Sequence, residues 1–268
     1  MTSRAASTGS APPTFAFDPV RLGRLTFRTG TRGDAIAALR GWFATSERNG
    51  IIVGFVNPHV YNSAIEHQDV AEFLRECSFV CVDGVGVTAA ARLVNGSALP
   101  RTVATALFED LLGDPLGPAS TSAPMQALLI GTTEDEVVAA AAAMNAQLPA
   151  VHIVEAMDGF RDLDDYDALM RKYPDIDAVL VGAGAPRSEQ ILLRVPNACQ
   201  RALAFHIGAG TIKIYAGTKR RAPSLMSRFG LEWLHRITFE PHTRVRYGRG
   251  AWTFGRDVWA TRNGETAL

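Results

Sequence analysis

An aspartate followed by a glycine stands at the end of a short apolar run, and it is the residue best suited to chemistry in this chain. Asp83 comes directly after the run FVCV, and Gly84 follows it. A carboxylate in such a place can act as a general base toward a hydroxyl group, and the glycine lets a ligand approach the backbone closely. The same aspartate can instead cap the next helix or close a turn. The sequence leaves both roles open.

Two other apolar runs end in residues that can bind an anion. Asn57 and Pro58 follow the run IIVGFV, and residues 182–189, GAGAPRSE, follow the run AVLV. Glycine-rich backbone at the start of a helix can hold a phosphate, although this spacing matches neither the Walker loop nor the dinucleotide fingerprint. Asn57 can equally satisfy a turn, and Glu189 can be an acidic residue of a first helical turn.

The basic residues gather near the C-terminus, although the whole chain has no net charge. Residues 219–262 hold ten Lys and Arg against three Asp and Glu. Such a concentration favours an anionic ligand, and guanidinium groups suit phosphates because they donate two parallel hydrogen bonds. Apolar side chains at helical spacing predict first a docking face and second a lipid contact. They are Leu225, Met226, Phe229 and Trp233.

The histidines and cysteines predict no metal site and no cofactor. The six histidines are scattered without the spacing of a ligand pair, and the three cysteines have no histidine at ligand spacing. Cys77 and Cys81 flank an apolar run, where burial as small hydrophobic residues is expected.

The apolar pattern predicts a scaffold that can position these segments. Apolar runs of strand length alternate with segments of helical spacing, which is typical of a parallel sheet covered by helices on both faces. Ligands bind such sheets beyond the carboxyl ends of the strands, where the polar segments lie. We therefore predict an α/β, Rossmann-like, mainly parallel sheet. Strands are predicted over 51–56, 79–82, 127–130, 151–154, 178–181 and 202–206, and helices over 33–47, 60–77, 86–94, 105–112, 134–148 and 163–173.

Composition divides the chain into three predicted parts. Residues 1–14, rich in Ser, Thr, Ala and Pro, predict a disordered tail. Residues 15–217 form the α/β domain that would carry any catalysis, with residues 113–124 as the best internal linker. Residues 218–268 predict a basic helical appendage, because the alternation of strands and helices stops there.

The same composition predicts a cytoplasmic protein that can lie on a membrane. No apolar run approaches the length of about 18–20 residues that crosses a bilayer. The start of the chain lacks the apolar core of a secretory signal, and the unpaired cysteines fit a reducing compartment.

Taken in order, these segments resemble the WecG/TagA/CpsF family of bacterial glycosyltransferases (glycosyltransferase family 26). The resemblance runs from about Val20 to Tyr247, and its most specific part is the tail: AGTKRRAP, then GLEWLHR, then Glu240-Pro241 with following arginines. Within the domain, the strand-end Asn and Asp-Gly of the family are matched by Asn57 and Asp83-Gly84. The remaining matches are Arg101, before a helix, and residues 184–189, which follow the family's Gly-x-Pro-Lys-Gln-Glu loop in outline.

The resemblance implies an inverting transfer of a sugar from a UDP-sugar to a polyprenyl-diphosphate-linked saccharide. The reaction would take place at the cytoplasmic face of the membrane, in cell-wall or exopolysaccharide biosynthesis. Asp83 would be the catalytic base, and Arg236 and Arg246 would neutralise the leaving UDP without a metal. The residues expected to bind substrate are Asn57, Arg101, Gly184, Pro186, Arg187, Glu189, Lys213, Arg236, Arg244 and Arg246.

Five positions depart from the family pattern and keep other functions open. Phe55 replaces a Thr, Ala106 and Lys213 replace acids, and Ser188 replaces a Gln. Thr243 stands at a family arginine position, with Arg244 adjacent. The changes predict altered sugar recognition, and a lysine in the donor pocket would favour an acidic sugar. They also fit a non-catalytic protein that binds a nucleotide-sugar or a lipid diphosphate. A nucleic-acid partner is not expected, whereas a homo-oligomer is compatible with the apolar tail.

Overall fold

A six-stranded sheet, parallel throughout, forms the centre of the computed structural model, which describes residues 17–45, 48–112, 124–220 and 243–262. The predicted α/β, mainly parallel fold is therefore confirmed, and each of the six strands lies where the apolar runs placed it, to within a few residues. Across the sheet the strands are β4 (Phe79–Val82), β3 (Ile51–Val56), β8 (Leu203–His206), β7 (Ala178–Gly182), β5 (Met125–Gly131) and β6 (Val151–Met157).

Helices cover both faces of the sheet, and each face has its own apolar core. Side chains alternate along the buried strands, so that Leu128 and Ile130 of β5 enter one core and Ala127 and Leu129 enter the other. The first core includes α2 (Pro58–Glu66), α3 (Gln68–Glu76), α4 (Val85–Asn95), α7 (Leu163–Lys172) and α8 (Arg187–Ala198). The second includes α1 (Arg32–Phe43), α5 (Ala104–Leu112), α6 (Glu134–Gln147) and α9 (Ala209–Tyr215).

The single helix predicted over 60–77 is wrong, because two helices meet there. His67 has extended backbone, with φ −126° and ψ 117°, and separates α2 from α3. Its N–H closes α2 on the carbonyl of Ser63, and its own carbonyl accepts from the N–H of Val70 and Ala71. Both helices bury apolar residues against the same core, so the periodicity alone does not reveal the break.

An antiparallel hairpin precedes the sheet, and the sequence interpretation missed it. Its strands are β1 (Pro19–Leu22) and β2 (Leu25–Arg28), which pair from Pro19 with Arg28 to Leu22 with Leu25. Gly23 turns the chain with φ 58°, and a Cβ there would lie 2.0 Å from Tyr61 Oη, so only glycine fits. Buried Leu22, Leu25 and Phe27 close the first core on that side.

The last described helix, α10 (Thr243–Arg262), packs back onto the domain. Phe254 and Val258 are buried in the first core, beside α2 and α4. Asn62 Nδ2 of α2 donates a 2.8 Å hydrogen bond to the carbonyl of Gly250. The appendage thus buries apolar surface on its own domain, an arrangement that the sequence left open. The apolar residues predicted as its docking face, Leu225, Met226, Phe229 and Trp233, lie outside the described residues.

Several predictions concern parts of the chain that the structure does not describe. The predicted tail at 1–14 and nearly all of the predicted linker at 113–124 lie outside the described residues. Within the described ranges, no helix is both long and apolar enough to cross a bilayer. The same ranges hold no cluster of three or more His, Cys, Asp or Glu side chains arranged to bind a metal ion.

Candidate active site

Asn57 and Asp83 lie side by side at the carboxyl edge of the sheet. Strands β3 and β4 are in parallel register, with Val56 opposite Val82, and each polar residue follows directly. The N–H of Asp83 donates a 2.9 Å hydrogen bond to the carbonyl of Val56. The sequence placed both residues at strand ends, and the strand order makes them neighbours.

Asp83 stands one position before the helix that follows it. The N-cap residue of α4 is Gly84, which has no side chain. Gly84 has φ 100° and ψ 142°, a conformation that favours glycine, and a Cβ on it would meet no atom within 4 Å. The half-buried carboxylate therefore stands before an open stretch of backbone, as a base toward a bound hydroxyl requires.

Asn57, in contrast, has a structural role as well as a place at the edge. It is the N-cap of α2, and its Oδ1 accepts 2.9 Å hydrogen bonds from the N–H groups of His59 and Val60. Pro58 follows at the first helical position, where a missing N–H costs nothing. The side-chain NH₂ group takes no part in the cap and is the part of Asn57 that can donate to a ligand.

Arg101 comes to the same edge through the segment that leads into α5. The N–H of Thr102 donates a 2.9 Å hydrogen bond to the carbonyl of Val82, which continues the edge of β4. Thr102 is buried, and its Oγ1 donates to the carbonyl of Gly30 at 3.2 Å. These bonds fix the half-buried Arg101 next to the strand end that carries Asp83. A guanidinium in this place can bind the phosphates of a substrate.

The loop after β7 leads directly into α8, and its predicted binding of phosphate stays a prediction. Gly184 has φ 88°, and the Ala185–Pro186 peptide bond is cis. Ser188 is buried, and its Oγ accepts a 2.9 Å hydrogen bond from the N–H of Ala183. Ser188 therefore stabilises the loop from within, at the position where the family pattern has a Gln.

Arg187 and Glu189 point to different parts of this region. The Arg187 guanidinium carbon lies 5.8 Å from the centre of the Tyr166 ring, and Nε is buried with no hydrogen-bond partner among the described residues. Glu189 is fully buried, and its Oε1 lies 3.4 Å from Nε2 of His206, the last residue of β8. The Glu189 side chain is therefore buried beneath the loop, next to the last residue of β8.

The carboxyl ends of β3 and β8 form a topological switch point, because the chain leaves these neighbouring strands toward opposite faces of the sheet. The connection from β3 enters α2 on one face, and the connection from β8 enters α9 on the other. Ligands of open α/β sheets bind at such a switch point. We call this switch point the crevice; Asn57 and Asp83 follow the strands on one side of it, and Gly208 and residues 183–188 follow the strands on the other. The half-buried Phe55 lies at its base, within 3.6 Å of where a Cβ on Gly208 would be.

Comparison with known proteins identifies the family of the chain. The sequence profile of the glycosyl transferase WecG/TagA/CpsF family matches residues 20–267. The chain belongs to this family. It is 26% identical over 195 residues to the N-acetylglucosaminyldiphosphoundecaprenol N-acetyl-beta-D-mannosaminyltransferase of Bacillus subtilis, covering 73% of this chain and 74% of that protein. An enzyme of the same name from Staphylococcus aureus is 25% identical over 203 residues, covering 75% of this chain and 77% of that protein.

Lys213 of this glycosyltransferase is paired with an acid rather than left as a lone cation. Its Nζ lies 3.6 Å from Oε2 of Glu136, and Thr218 Oγ1 donates a 2.8 Å hydrogen bond to Oε1 of the same carboxylate. Burial opposes ionisation of Glu136, but the Thr218 hydrogen bond and the Lys213 charge together lower its pKa below the usual value. The pair joins α9 to α6, so the positive charge proposed for sugar recognition is compensated.

The C-terminal arginines of the glycosyltransferase are only partly described. Arg236 lies outside the described residues, and Arg244 and Arg246 fall in the first turn of α10. Their predicted contact with a diphosphate stays a prediction.

Sequence reasoning missed a second Asp-Gly at the carboxyl edge of the sheet. Strand β6 runs to Met157, past the predicted end at 154, so that Asp158-Gly159 follows it directly. The buried Asp158 accepts from Arg161 Nε at 2.5 Å and from the N–H of Phe160 at 3.0 Å. Burial opposes ionisation of Asp158, yet these donors lower its pKa. The Phe160 side chain is 73% exposed. The Asp-Gly pattern at Asp83 was the signal that could have found this site.

Gly159 brings the ends of three strands together. A Cβ there would lie 3.0 Å from Ala183 Cβ, 3.1 Å from Gly131 Cα and 3.1 Å from the backbone nitrogen of Thr132. The Gly159 N–H donates a 2.8 Å hydrogen bond to the carbonyl of Thr132. Thr132 has φ 51°, which is uncommon for a residue other than glycine. The loops after β5, β6 and β7 therefore form one continuous backbone surface beside the crevice.

Proposed function

We propose that this chain is an inverting glycosyltransferase that moves a sugar from a UDP-sugar to a saccharide linked to polyprenyl diphosphate. Family membership supports the reaction class, and the names of the two relatives point to a sugar on diphosphoundecaprenol as the acceptor. The observation that carries the proposal is the placement of Asp83. It directly follows β4 at the carboxyl edge of the sheet, next to Asn57, which directly follows β3.

In the proposed reaction Asp83 takes the proton of the acceptor hydroxyl as its oxygen attacks the anomeric carbon of the donor. One C–O bond forms on one face of the sugar, and the C–O bond to UDP breaks on the other, so the configuration inverts. The bonding electrons leave with UDP as an additional negative charge. A single displacement of this kind needs one base and a cationic or N–H-rich place for the leaving group.

The leaving group would be stabilised by the loop after β7 and by arginines. The first turn of α8, which follows Gly184 and Pro186, is proposed to hold phosphate oxygens, and Arg187 would add a guanidinium. Arg101 stands at the other side of the crevice, beside Asp83. Arg236, Arg244 and Arg246 are proposed to close over the diphosphate from the C-terminal segment, and Lys213 is proposed to contact the donor through its exposed part.

We further propose that the protein works at the cytoplasmic face of the membrane, with the outer side of α10 on the lipid. Trp252 and Trp259 are 73% and 56% exposed, and they stand seven positions apart on one side of the helix. Arg262 lies over the Trp259 ring at 5.4 Å, and Arg256 is exposed between the two tryptophans. Tryptophan and arginine together are typical of a helix that lies in the interface of an anionic bilayer.

The test is release of UDP from a panel of UDP-sugars, with a diphosphoundecaprenol-linked saccharide as acceptor, for wild type and Asp83→Asn. The variant should bind UDP as wild type does and lose turnover by about 10²–10⁴-fold, the usual contribution of a general base. Asp69→Asn is the matched control and should retain turnover, because the Asp69 carboxylate accepts from Gln190 and not from a residue that bounds the crevice. Full turnover in Asp83→Asn would refute the proposed base. Tight binding of UDP by wild type with no turnover on any acceptor would instead identify a binding protein.

A further inference from the structure

Tyr166 of α7 is buried at the carboxyl edge of the sheet and contacts two of the loops there. Its side chain lies in the first core and has no exposed surface. The hydroxyl oxygen Oη donates a 3.1 Å hydrogen bond to the carbonyl of Asp158 and accepts one of 3.1 Å from the N–H of Arg161. The centre of the Tyr166 ring lies 5.8 Å from the guanidinium carbon of Arg187. One side chain thus joins the loop after β6 to the first residue of α8.

The loop after β6, residues 158–162, is held through its backbone donors. The N–H groups of residues 159–162 each donate a hydrogen bond of 2.8–3.2 Å. The acceptors are, in order, the carbonyl of Thr132, Asp158 Oδ1, Tyr166 Oη and Asp165 Oδ2. A loop with these donors engaged keeps its shape, although Phe160 within it is exposed.

This loop is in contact with the loop after β7. A Cβ on Gly159 would lie 3.0 Å from the Cβ of Ala183, and the N–H of Ala183 donates to Ser188 Oγ of α8 at 2.9 Å. Helices α7 and α8 lie side by side behind the loops, where Arg194 forms an ion pair with Asp167. Because the backbones are so close, a displacement of either loop must displace the other.

Arg187 stands where its own helix does not favour a cation. It is the first residue of α8, at the positive end of the helix dipole. Its Nε is buried, and no described residue forms a hydrogen bond with that atom. The face of the Tyr166 ring attracts the guanidinium and offsets part of the cost, and an anion bound at the start of α8 would offset more.

We propose that Tyr166 is a positioning residue that holds Arg187 and the loop after β6 in fixed relative places. The ring holds the guanidinium of Arg187, and the hydroxyl holds the loop at Asp158 and Arg161. The role rests on the proposed function in one respect, the binding of the UDP diphosphate by Arg187. Since Tyr166 is fully buried, it acts through these groups and does not touch the substrate.

Two variants separate the hydroxyl from the ring. Tyr166→Phe removes Oη and keeps the ring, whereas Tyr166→Leu removes both. Tyr173→Leu is the matched control at the other end of α7, because Tyr173 has the same two kinds of contact. Its ring centre lies 5.1 Å from Nζ of Lys172, and its Oη donates to Glu155 at 2.6 Å.

The first experiment measures the two contacts by NMR of the ligand-free protein. In Tyr166→Phe the backbone amide of Arg161 should exchange its hydrogen at least about tenfold faster than in wild type, because its acceptor is lost. The Nε–H signal of Arg187, which lies near the ring, should move in Tyr166→Leu and stay close to wild type in Tyr166→Phe. Tyr173→Leu should leave both signals unchanged. Unchanged Arg161 exchange in Tyr166→Phe, or an unmoved Arg187 signal in Tyr166→Leu, would overturn the proposal.

Arg187→Met tests the same contact from the other side if Tyr166→Leu does not fold. The ring-proton signals of Tyr166 should move in this variant, since the guanidinium over the ring is lost, and those of Tyr173 should stay in place. Tyr166 ring signals that do not move in folded Arg187→Met would show that the ring does not hold Arg187, and the proposal would fail.

The affinity for UDP, measured by calorimetry, gives the functional readout. Tyr166→Leu should bind UDP about fivefold more weakly than wild type, and Tyr166→Phe should restore most of that loss because it keeps the ring. Tyr173→Leu should bind as wild type does.

A double variant decides whether Tyr166 acts through Arg187. Tyr166→Leu/Arg187→Met should bind UDP about as weakly as Arg187→Met alone, because the ring has no guanidinium left to hold. Losses of affinity that simply add would overturn the positioning role. Failure of every protein, wild type included, to bind UDP would count against the proposed function, and the Arg161 exchange and the Arg187 signal would still decide the inference.

Discussion

Tyr61 Oη donates a 2.5 Å hydrogen bond to Asp257 Oδ2, across 196 positions of the chain. Arg24 completes the cluster, with its guanidinium 2.7 Å from the other oxygen of Asp257. Burial first, and then the Asp257 bond, raise the pKa of Tyr61 well above its ordinary range, so the phenol stays a donor. The cluster therefore joins the hairpin and α10 to α2, the helix whose N-cap is Asn57.

Removal of the phenol should loosen α10 selectively. Tyr61→Phe should cost about 1.5–3 kcal/mol of unfolding free energy, because a buried carboxylate loses a donor. Hydrogen exchange in α10 should accelerate more than exchange in the central strands. Tyr173→Phe is the control, since Tyr173 Oη donates to Glu155 at 2.6 Å, outside the contact of α10. Equal exchange in α10 of wild type and Tyr61→Phe would show that the apolar contacts of Phe254 and Val258 suffice.

Gly84 should matter both for stability and for catalysis. Gly84→Ala places a Cβ at φ 100° and should cost about 1–3 kcal/mol through backbone strain, although no atom lies within 4 Å of the new Cβ. Turnover should fall further than stability explains, because the strain is relieved by moving Asp83. Gly86→Ala, within α4 and without positive φ, is the matched control and should be neutral or slightly stabilising. Denaturant unfolding and UDP-release kinetics measure the two effects; equal turnover in the two variants would contradict the prediction.

The Glu136 cluster should contribute to stability in a pH-dependent way. The folded-state pKa of Glu136 is lowered, so its contribution is present above the unfolded value and is lost as pH falls through the lower, folded value. Tm of wild type should therefore drop between about pH 5 and about pH 3. Lys213→Met combined with Thr218→Val should make that drop shallower. Lys172→Met removes the partner of Glu155 at a separate site and serves as the control. Its effect on the dependence of Tm on pH should add to the effect of the Lys213 and Thr218 substitutions. An unchanged acid slope in the Lys213 and Thr218 variant would show that Glu136 is not stabilised by them.

The outer face of α10 should decide attachment to the membrane. Trp252→Ala/Trp259→Ala should weaken binding to vesicles that contain anionic lipid by at least about tenfold, because two large apolar side chains are lost from the contact. Melting temperature should stay close to that of wild type, since both side chains are exposed. Val138→Ala, an exposed apolar site on α6, is the control. Cosedimentation with vesicles at low and moderate salt measures the effect, and equal binding by both variants would place the lipid contact elsewhere.

Much of the fold could be predicted because parallel strands buried on both faces must be apolar throughout. Runs such as IIVGFV and AVLV identify themselves by that rule, and the residues after them then lie at the carboxyl edge. The break at His67 and the hairpin at Gly23 could not be predicted in the same way. Apolar residues on both sides of the break and of the turn are buried in the first core. The sequence pattern indicates that these residues are buried, but it does not indicate where one element ends and the next begins.

The spacing of residue types along the chain does not predict which distant residues pair with one another. The sequence predicts Glu189 as a substrate-binding residue or as an acidic residue of a first helical turn, and it does not predict the full burial of Glu189 against His206. Lys213 looked like a lone cation in a pocket, yet Glu136 compensates it. The free-energy cost of burying a charge depends on the groups that face it, and those groups come from other elements of the fold.

The sequence by itself determined the six strands of the parallel sheet, the strand ends that carry Asn57 and Asp83, and the family. Those features depend on local spacing and on residue type, and both can be read directly from the sequence. Only the tertiary structure decided that Asp83 stands beside Asn57, that Glu189 lies with His206 below the crevice, and that α10 returns to Tyr61. Such relationships depend on which strands are neighbours and on how helices cross, and long-range packing settles both.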